Sequence, residues 1–181
     1  MGNTGIAELL RHRRSIRKYT TEPIGKQQRD LLVEALLRSP TSRNGRSWEF
    51  VVVDDRATLV SLSQSKPQGA AFLKDAALGI VIVGDSAKTD VWIEDASIAA
   101  ILVQVAAESL GLGSCWIQVR NRNHDTGTTA EHYIQRFLGL PEALKVVAIV
   151  SIGHPAEEKQ PVPESELPFA KVHHHRYSQL P

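Results

Sequence analysis

The sequence predicts one domain that mixes helices with strands, and three observations carry that expectation. The chain has 181 residues, enough for one domain that buries about 70% of the surface its unfolded chain exposes. Ala77 to Val83 is an almost purely apolar run ending at Gly84-Asp85, which suits a central strand covered on both faces, and Lys145 to Ile152 reads as a final core strand. Between them, Val91 to Leu110 repeats with helical period and is apolar nearly all round, so it belongs at the centre of a domain or in an oligomer interface.

In chain order, Thr4 is placed to cap a helix through about Arg13, with Ile6, Leu9 and Leu10 as its apolar stripe. A second helix, about Lys26 to Arg38, offers Leu31, Leu32, Val33, Ala35 and Leu36 for burial and stops before Pro40. Thr41 to Ser47 is a polar loop leading into a strand, Trp48 to Val53, and the turn Asp54-Asp55. A helix from about Arg56 to Gln64 runs into the Pro67-Gln68-Gly69 break and a short helical piece, Ala70 to Lys74. After the long helix, Gly111 suits a left-handed cap, Ser114 to Val119 reads as a strand, and Arg120 to Gly127 is a polar loop. Thr128 or Thr129 caps a helix through Leu138. Beyond Gly153-His154-Pro155, the chain from 156 to 181 carries Pro161, Pro163, Pro168 and Pro181 and reads as an extended arm following a domain of 1–155.

Charge narrows the partners. Against 20 Asp and Glu stand 21 Lys and Arg, a net charge of +1, so no overall field favours nucleic acid or an anionic membrane. The single cysteine, Cys115, fits a reducing compartment, and the start lacks a charged-then-apolar signal pattern, so a soluble cytoplasmic protein is expected. Glu94, Asp95, Gln104 and Glu108 argue against a membrane span in the apolar segment from 91 to 112.

Several motifs are set aside. Gly111-Leu112-Gly113 lacks a third glycine and follows a helix, and there is neither a Gly-Lys-Ser/Thr phosphate loop nor a Gly-x-Ser-x-Gly elbow. His173-His174-His175 lacks converging partners for a metal, His124 and Asp125 read as a solvated loop before a general base, and Cys115 reads as a small buried side chain before a nucleophile. Three stretches remain. If Arg13-Arg14-Ser15-Ile16-Arg17-Lys18-Tyr19 is extended, its period of 2 puts Arg13, Ser15 and Arg17 on one side, a clamp for an anion. The loop at 40 to 48 adds hydroxyls and an amide, and Ser114 to Gln118 adds strand backbone beside an aromatic ring. Together they fit a phosphorylated aromatic cofactor such as FMN.

Five ordered blocks, at 13–19, 39–48, 94–100, 110–118 and 152–159, are similar to the FMN-dependent nitroreductase family, the match running from about residue 6 to 160. The resemblance implies an α+β fold, a mostly antiparallel central sheet flanked by helices, in an intertwined homodimer with FMN at the interface. It implies that Arg13, Arg14, Ser15 and Arg17 hold the phosphate and ribityl chain, that Pro40, Thr41, Ser42 and Asn44 reach the flavin from the other subunit, and that Trp116, Ile117 and Gln118 lie along the ring. The arm at 156–181 is expected to pack on the partner. The chain departs from the family where Arg46-Ser47 replace a Gln-Pro pair, where Lys159 stands without a neighbouring arginine to complete the phosphate site, and near Gly69, where some members have an asparagine.

The implied activity is hydride transfer from NADH or NADPH through the flavin to a small oxidised acceptor, a nitroaromatic or quinone, by a ping-pong mechanism without a catalytic side chain or a metal. Other flavin chemistry on this fold (dehalogenation, dehydrogenation, flavin fragmentation) and a non-enzymatic flavin carrier stay open, because fold does not fix function.

Overall fold

Leu78 to Gly84 are all buried, as an apolar run without polar alternation requires, and the strand they form is the middle of the molecule. The computed structural model describes residues 5–177. Its order is α1 (Ile6–His12), α2 (Lys26–Leu37), β1 (Trp48–Val53), α3 (Arg56–Ser63), β2 (Leu78–Asp85), α4 (Trp92–Ser109), β3 (Gly113–Gln118), α5 (Ala130–Leu138) and β4 (Leu144–Gly153). The four strands form one sheet in the order β1-β2-β4-β3 with every neighbouring pair antiparallel. This is the α+β arrangement that the family resemblance implies.

Both faces of the sheet are covered. Ile80, Ile82, Val150 and Ile152 pack with Leu32 and Leu36 of α2 and with Ala96, Ala100, Val103 and Ala107 of α4. The alanine stripe lets the helix lie close to the sheet. On the other face Val81, Val83, Ile117 and Ile149 meet Leu59 and Leu62 of α3 and Ile134 of α5. Caps fix the helix ends. Asp55 accepts from the Thr58 N–H at 2.8 Å, and of the two threonines considered before α5 it is Thr129 that accepts from the His132 N–H, at 3.1 Å. α4 closes with Gly111 at φ +72°, where Leu112 N–H donates to Ala107 O and Gly111 N–H to Glu108 O, a Schellman ending.

Some apolar stripes are not covered by this chain. The Thr4 cap falls outside the described residues. α1 buries none of its residues, and Ile6 and Leu10 are exposed. Leu31, expected in the core, is exposed, while Leu32 and Leu36 carry the packing of α2. On α4, Ile98 and Ile101 keep 38% and 41% of their surface open, so its second apolar face lies outside the core. The helical piece after Gly69 is a 3-10 turn, Ala71–Asp75. Beyond β4 the arm forms two short 3-10 turns, Glu164–Glu166 and Phe169–Lys171. No helix among the described residues is long and apolar enough to cross a membrane.

Gly113 opens β3 directly beneath Ile16. A Cβ on it would lie 2.8 Å from Ile16 Cβ and Cγ2, closer than carbon atoms pack. Gly113→Ala is therefore expected to destabilise the fold by about 1–3 kcal/mol, the range for overpacking. A urea titration checks it: an unchanged midpoint contradicts this packing.

Candidate functional site

The basic run is an extended strap laid on the edge of β3. Ile16 N–H donates to Ser114 O at 2.9 Å, and Ser15 and Ser114 form a parallel bridge. Tyr19 anchors the far end. Its buried hydroxyl donates to Ile16 O at 2.6 Å and shares a 2.7 Å hydrogen bond with Ser151 Oγ, and burial raises its phenol above the ordinary 10.0.

The segment after β4 locks the strap from outside. Glu157 Oε1 accepts from Arg17 N–H at 2.6 Å and from Lys18 N–H at 3.2 Å, and Lys159 Nζ, 3.4 Å from the same oxygen, donates to Ser15 O at 2.6 Å. Arg14 and Ile16 turn to the other side of the strap from Arg13 and Arg17, into a cleft that Glu157 and Lys159 also line, in keeping with the alternation of the strap. The Arg14 guanidinium donates to Gln160 O. Arg14 therefore braces the arm, unlike Arg13 and Arg17.

Those two cations gather beside Cys115. Burial raises its thiol, and the positive charges of Arg17, Lys159 and Arg13 and a hydrogen bond from Ser15 offset part of that rise; Arg17 Nη1 and Lys159 Nζ both meet Ser15 O, at 3.5 and 2.6 Å. Arg17 also lies over the ring of Phe72, 5.8 Å from its centroid.

Further along β3 the backbone edge is open. Ser114 O takes the strap's N–H and Gln118 O takes Lys66 Nζ at 2.8 Å, so both point away from β4. By antiparallel alternation the N–H and C=O of Trp116, between them, face the same free edge. The indole of Trp116 donates to Gln118 Oε1 at 2.9 Å, and Gln118 Nε2 donates to Arg120 O at 2.7 Å, which fixes both side chains. Ile117 instead turns its side chain fully into the core and pairs with Ile149.

Lys66 is the residue that sequence reasoning missed. A lone lysine in a loop carries no motif, and only the tertiary fold brings it to β3. Desolvation first, then the nearby Arg122, pushes its ammonium below the ordinary 10.5. The edge from 114 to 118 is thus flanked by cations at both ends. A strand edge with free donors and acceptors suits a flat polar ring, and clustered guanidinium and ammonium groups beside a serine suit a phosphate. These residues fit FMN.

The loop at 40 to 47 lies elsewhere. It leads into β1, on the opposite edge of the sheet from β3, three strand spacings or about 14 Å away. Pro40 is exposed, Thr41 is half-buried, and Ser42–Asn44 form a 3-10 turn. Three residues without the freedom of glycine sit at positive φ here: Arg43 at 50°, Asn44 at 55° and Arg46 at 46°. The carboxyl of Asp95, in the first turn of α4, holds the loop by accepting from Ser42 N–H and Ser47 Oγ, both at 2.9 Å.

The remaining motifs have structural partners. Asp125 accepts from Gly127 and Thr128 N–H, which lowers its carboxyl below the ordinary 3.8, and His124 stacks on Tyr133 at 4.2 Å. His173 lies 4.5 Å from the ring of Tyr177, and no group of three or more metal-ligating side chains converges among the described residues.

Comparison with known proteins places these features in context. The profile of the Nitroreductase family matches residues 10–68 and 56–154. A solved structure of an FMN-dependent nitroreductase from Clostridium difficile superposes with a TM-score of 0.92 at 48% identity, covering 93% of this chain and 98% of its own. An FMN reductase [NAD(P)H] from Bacillus subtilis is 28% identical over 95% of this chain and 73% of its own length. The NADPH:FMN oxidoreductase of Vibrio harveyi, solved with NAD+, has a TM-score of 0.81 at 26% identity, covering 97% of this chain and 79% of its own.

The strap's attachment has a pH signature. The Arg17 N–H first, then Lys159, holds the Glu157 carboxyl below its ordinary 4.5. A lowered carboxylate stabilises the folded state fully above 4.5, and the contribution is lost as pH falls through the lower folded value. The protection of the Arg17 and Lys18 amides, exchange relative to the intrinsic rate at each pH, is expected to hold at pH 5 and to fall only below 4.5. Unchanged protection across that range contradicts the tether.

Proposed function

We propose that this chain, which belongs to the nitroreductase family, holds FMN in a site that one subunit begins and a second subunit completes. It is an NAD(P)H-dependent flavin oxidoreductase. The observation that carries the reading is the meeting of Arg17 Nη1 and Lys159 Nζ on Ser15 O, at 3.5 and 2.6 Å, at one end of the open edge of β3, with Lys66 at the other. When bound, FMN supplies two-electron chemistry, accepting hydride from a reduced nicotinamide and returning it to a small oxidised acceptor such as a nitroaromatic or quinone.

The chain's own groups bind and orient. Arg13, Arg17, Ser15 and Lys159 take the phosphate and the start of the ribityl chain. The outward N–H groups of Trp116 and Gln118, and the Trp116 C=O that also takes the Cys115 thiol at 3.5 Å, would hold the polar rim of the ring. Lys66 brings positive charge to that rim, where reduction raises electron density, and its partial desolvation strengthens the effect. The scheme uses no side-chain acid or base.

Pro40, Thr41, Ser42 and Asn44 lie too far across the sheet to close the site of their own chain. Placed by a second copy, they close its open side. Ile98 and Ile101 on α4, the uncovered face of α1, and Phe169 and Val172 on the arm, 62% and 61% exposed, supply apolar surface for such a homodimer. The arm packs on the partner in this reading.

Arg17→Ala removes a charge-assisted contact worth about 1.5–3 kcal/mol, so the FMN dissociation constant should rise roughly tenfold or more. Fluorescence titration measures it, and an unchanged constant refutes the clamp. Initial rates with NAD(P)H and a quinone varied together are expected to give parallel double-reciprocal lines. Intersecting lines contradict alternate occupancy of one site.

A further inference from the structure

We propose that Asp95 is the positioning residue that holds the loop at 42–47 in a strained, preformed shape for the flavin site of the partner subunit. The proposal rests on the reading that this loop completes that site. Its starting point is an expense without an evident return. The Asp95 side chain belongs to a residue only 3% exposed, and no lysine, arginine or histidine pairs with it among the described residues. Burying a carboxyl among neutral groups is costly, and an apolar side chain of similar size would serve the core of α4 better.

Its two hydrogen bonds go to one place. Ser42 N–H and Ser47 Oγ, both at 2.9 Å, are the two ends of the loop, and between them lie Arg43, Asn44 and Arg46 at positive φ. Such conformations are unfavourable, more for Arg43 and Arg46 than for Asn44, and persist where the surroundings over-determine them. Within the loop, Thr41 Oγ1 accepts from Arg46 N–H at 3.1 Å, Thr41 O from Asn44 N–H at 3.2 Å, Ser42 O from Gly45 N–H at 2.8 Å and Asn44 Oδ1 from Arg46 Nε at 3.3 Å, while Ser47 O is held to the sheet by Asp85 N–H at 2.7 Å. Asp95 is the tie to the body of the domain that spans both ends. Its place in the first turn of α4, at the positive end of the helix dipole, offsets part of the cost of burial.

The arrangement means that Asn44 meets the flavin already shaped, so binding does not have to order the loop. Asp95→Ala removes both of its ties and frees the Ser42 end, and Ser47→Ala removes one with less disturbance of the fold, the Ser47 carbonyl staying on Asp85 N–H in both. Asp95→Asn keeps both bonds, because the amide oxygen accepts from Ser42 N–H and the amide N–H donates to Ser47 Oγ.

The test is a double-mutant cycle on FMN affinity, measured by fluorescence titration of the purified protein. Asp95→Ala should weaken FMN about tenfold, Ser47→Ala less, and Asp95→Asn less than about twofold. Asn44→Ala should weaken FMN in the native background and add less than about twofold on top of Asp95→Ala or Ser47→Ala, since a released loop no longer presents Asn44. A residue that merely supports α4 would give additive effects, and additivity overturns the proposal. So does native FMN affinity in both Asp95→Ala and Ser47→Ala while Asn44→Ala is impaired. Native affinity in Asn44→Ala overturns the underlying reading of the loop, and the proposal with it.

Discussion

The hydrogen bond from Ile16 N–H to Ser114 O is the contact on which the rest of the site depends. An edge strand exposes a row of unpaired donors and acceptors, and proteins normally cover such an edge. Here the strap covers only the first part of β3. Ile16 packs against Gly113, and the strap's alternation then sends Arg13, Ser15 and Arg17 to one side and Arg14 to the arm. Glu157 and Lys159 hold it in that register from beyond β4. The remaining edge is left unpaired by any strand between two groups of cations, a place with positive charge and directional backbone groups.

The second constraint is the strand order. With β3 at one edge and β1 at the other, the cationic half of the site and the loop before β1 stand apart in one chain. The first gathers Arg17 and Lys159 at Ser15, and the second holds residues at positive φ under the grip of Asp95. In the proposed homodimer, two copies related by a two-fold axis would join unlike halves twice, turning a separated site into two complete ones, with the apolar face left open on α4 as interface.

Much of this was legible in sequence because the signals were local. The apolar runs gave β2 and β4, the turn residues bracketed β1, and the alternation of the basic run separated Arg14 from Arg13 and Arg17. Apolar period shows that a face is buried somewhere and is silent on what covers it, so the stripe of Ile6 and Leu10 and the expected core residue Leu31 all lie exposed on this chain. Ile117 was read with its neighbours, although strand alternation sends it inward. Lys66 had no local signature, since its place beside Gln118 arises from packing of a loop against a distant strand. The strain at Arg43, Asn44 and Arg46 was equally silent, because none of these residues announces a positive φ as glycine does.

The central claim is that each flavin site takes its strap from one subunit and its loop from the other. Mixed dimers of differently tagged Arg17→Ala and Asn44→Ala subunits test it most directly. Under the shared arrangement, one of the two sites in each mixed dimer combines both defects and the other has neither, so one site per dimer should bind FMN with native affinity. If each chain built its own site, every site would carry one defect, and the absence of any native-affinity site would contradict the account.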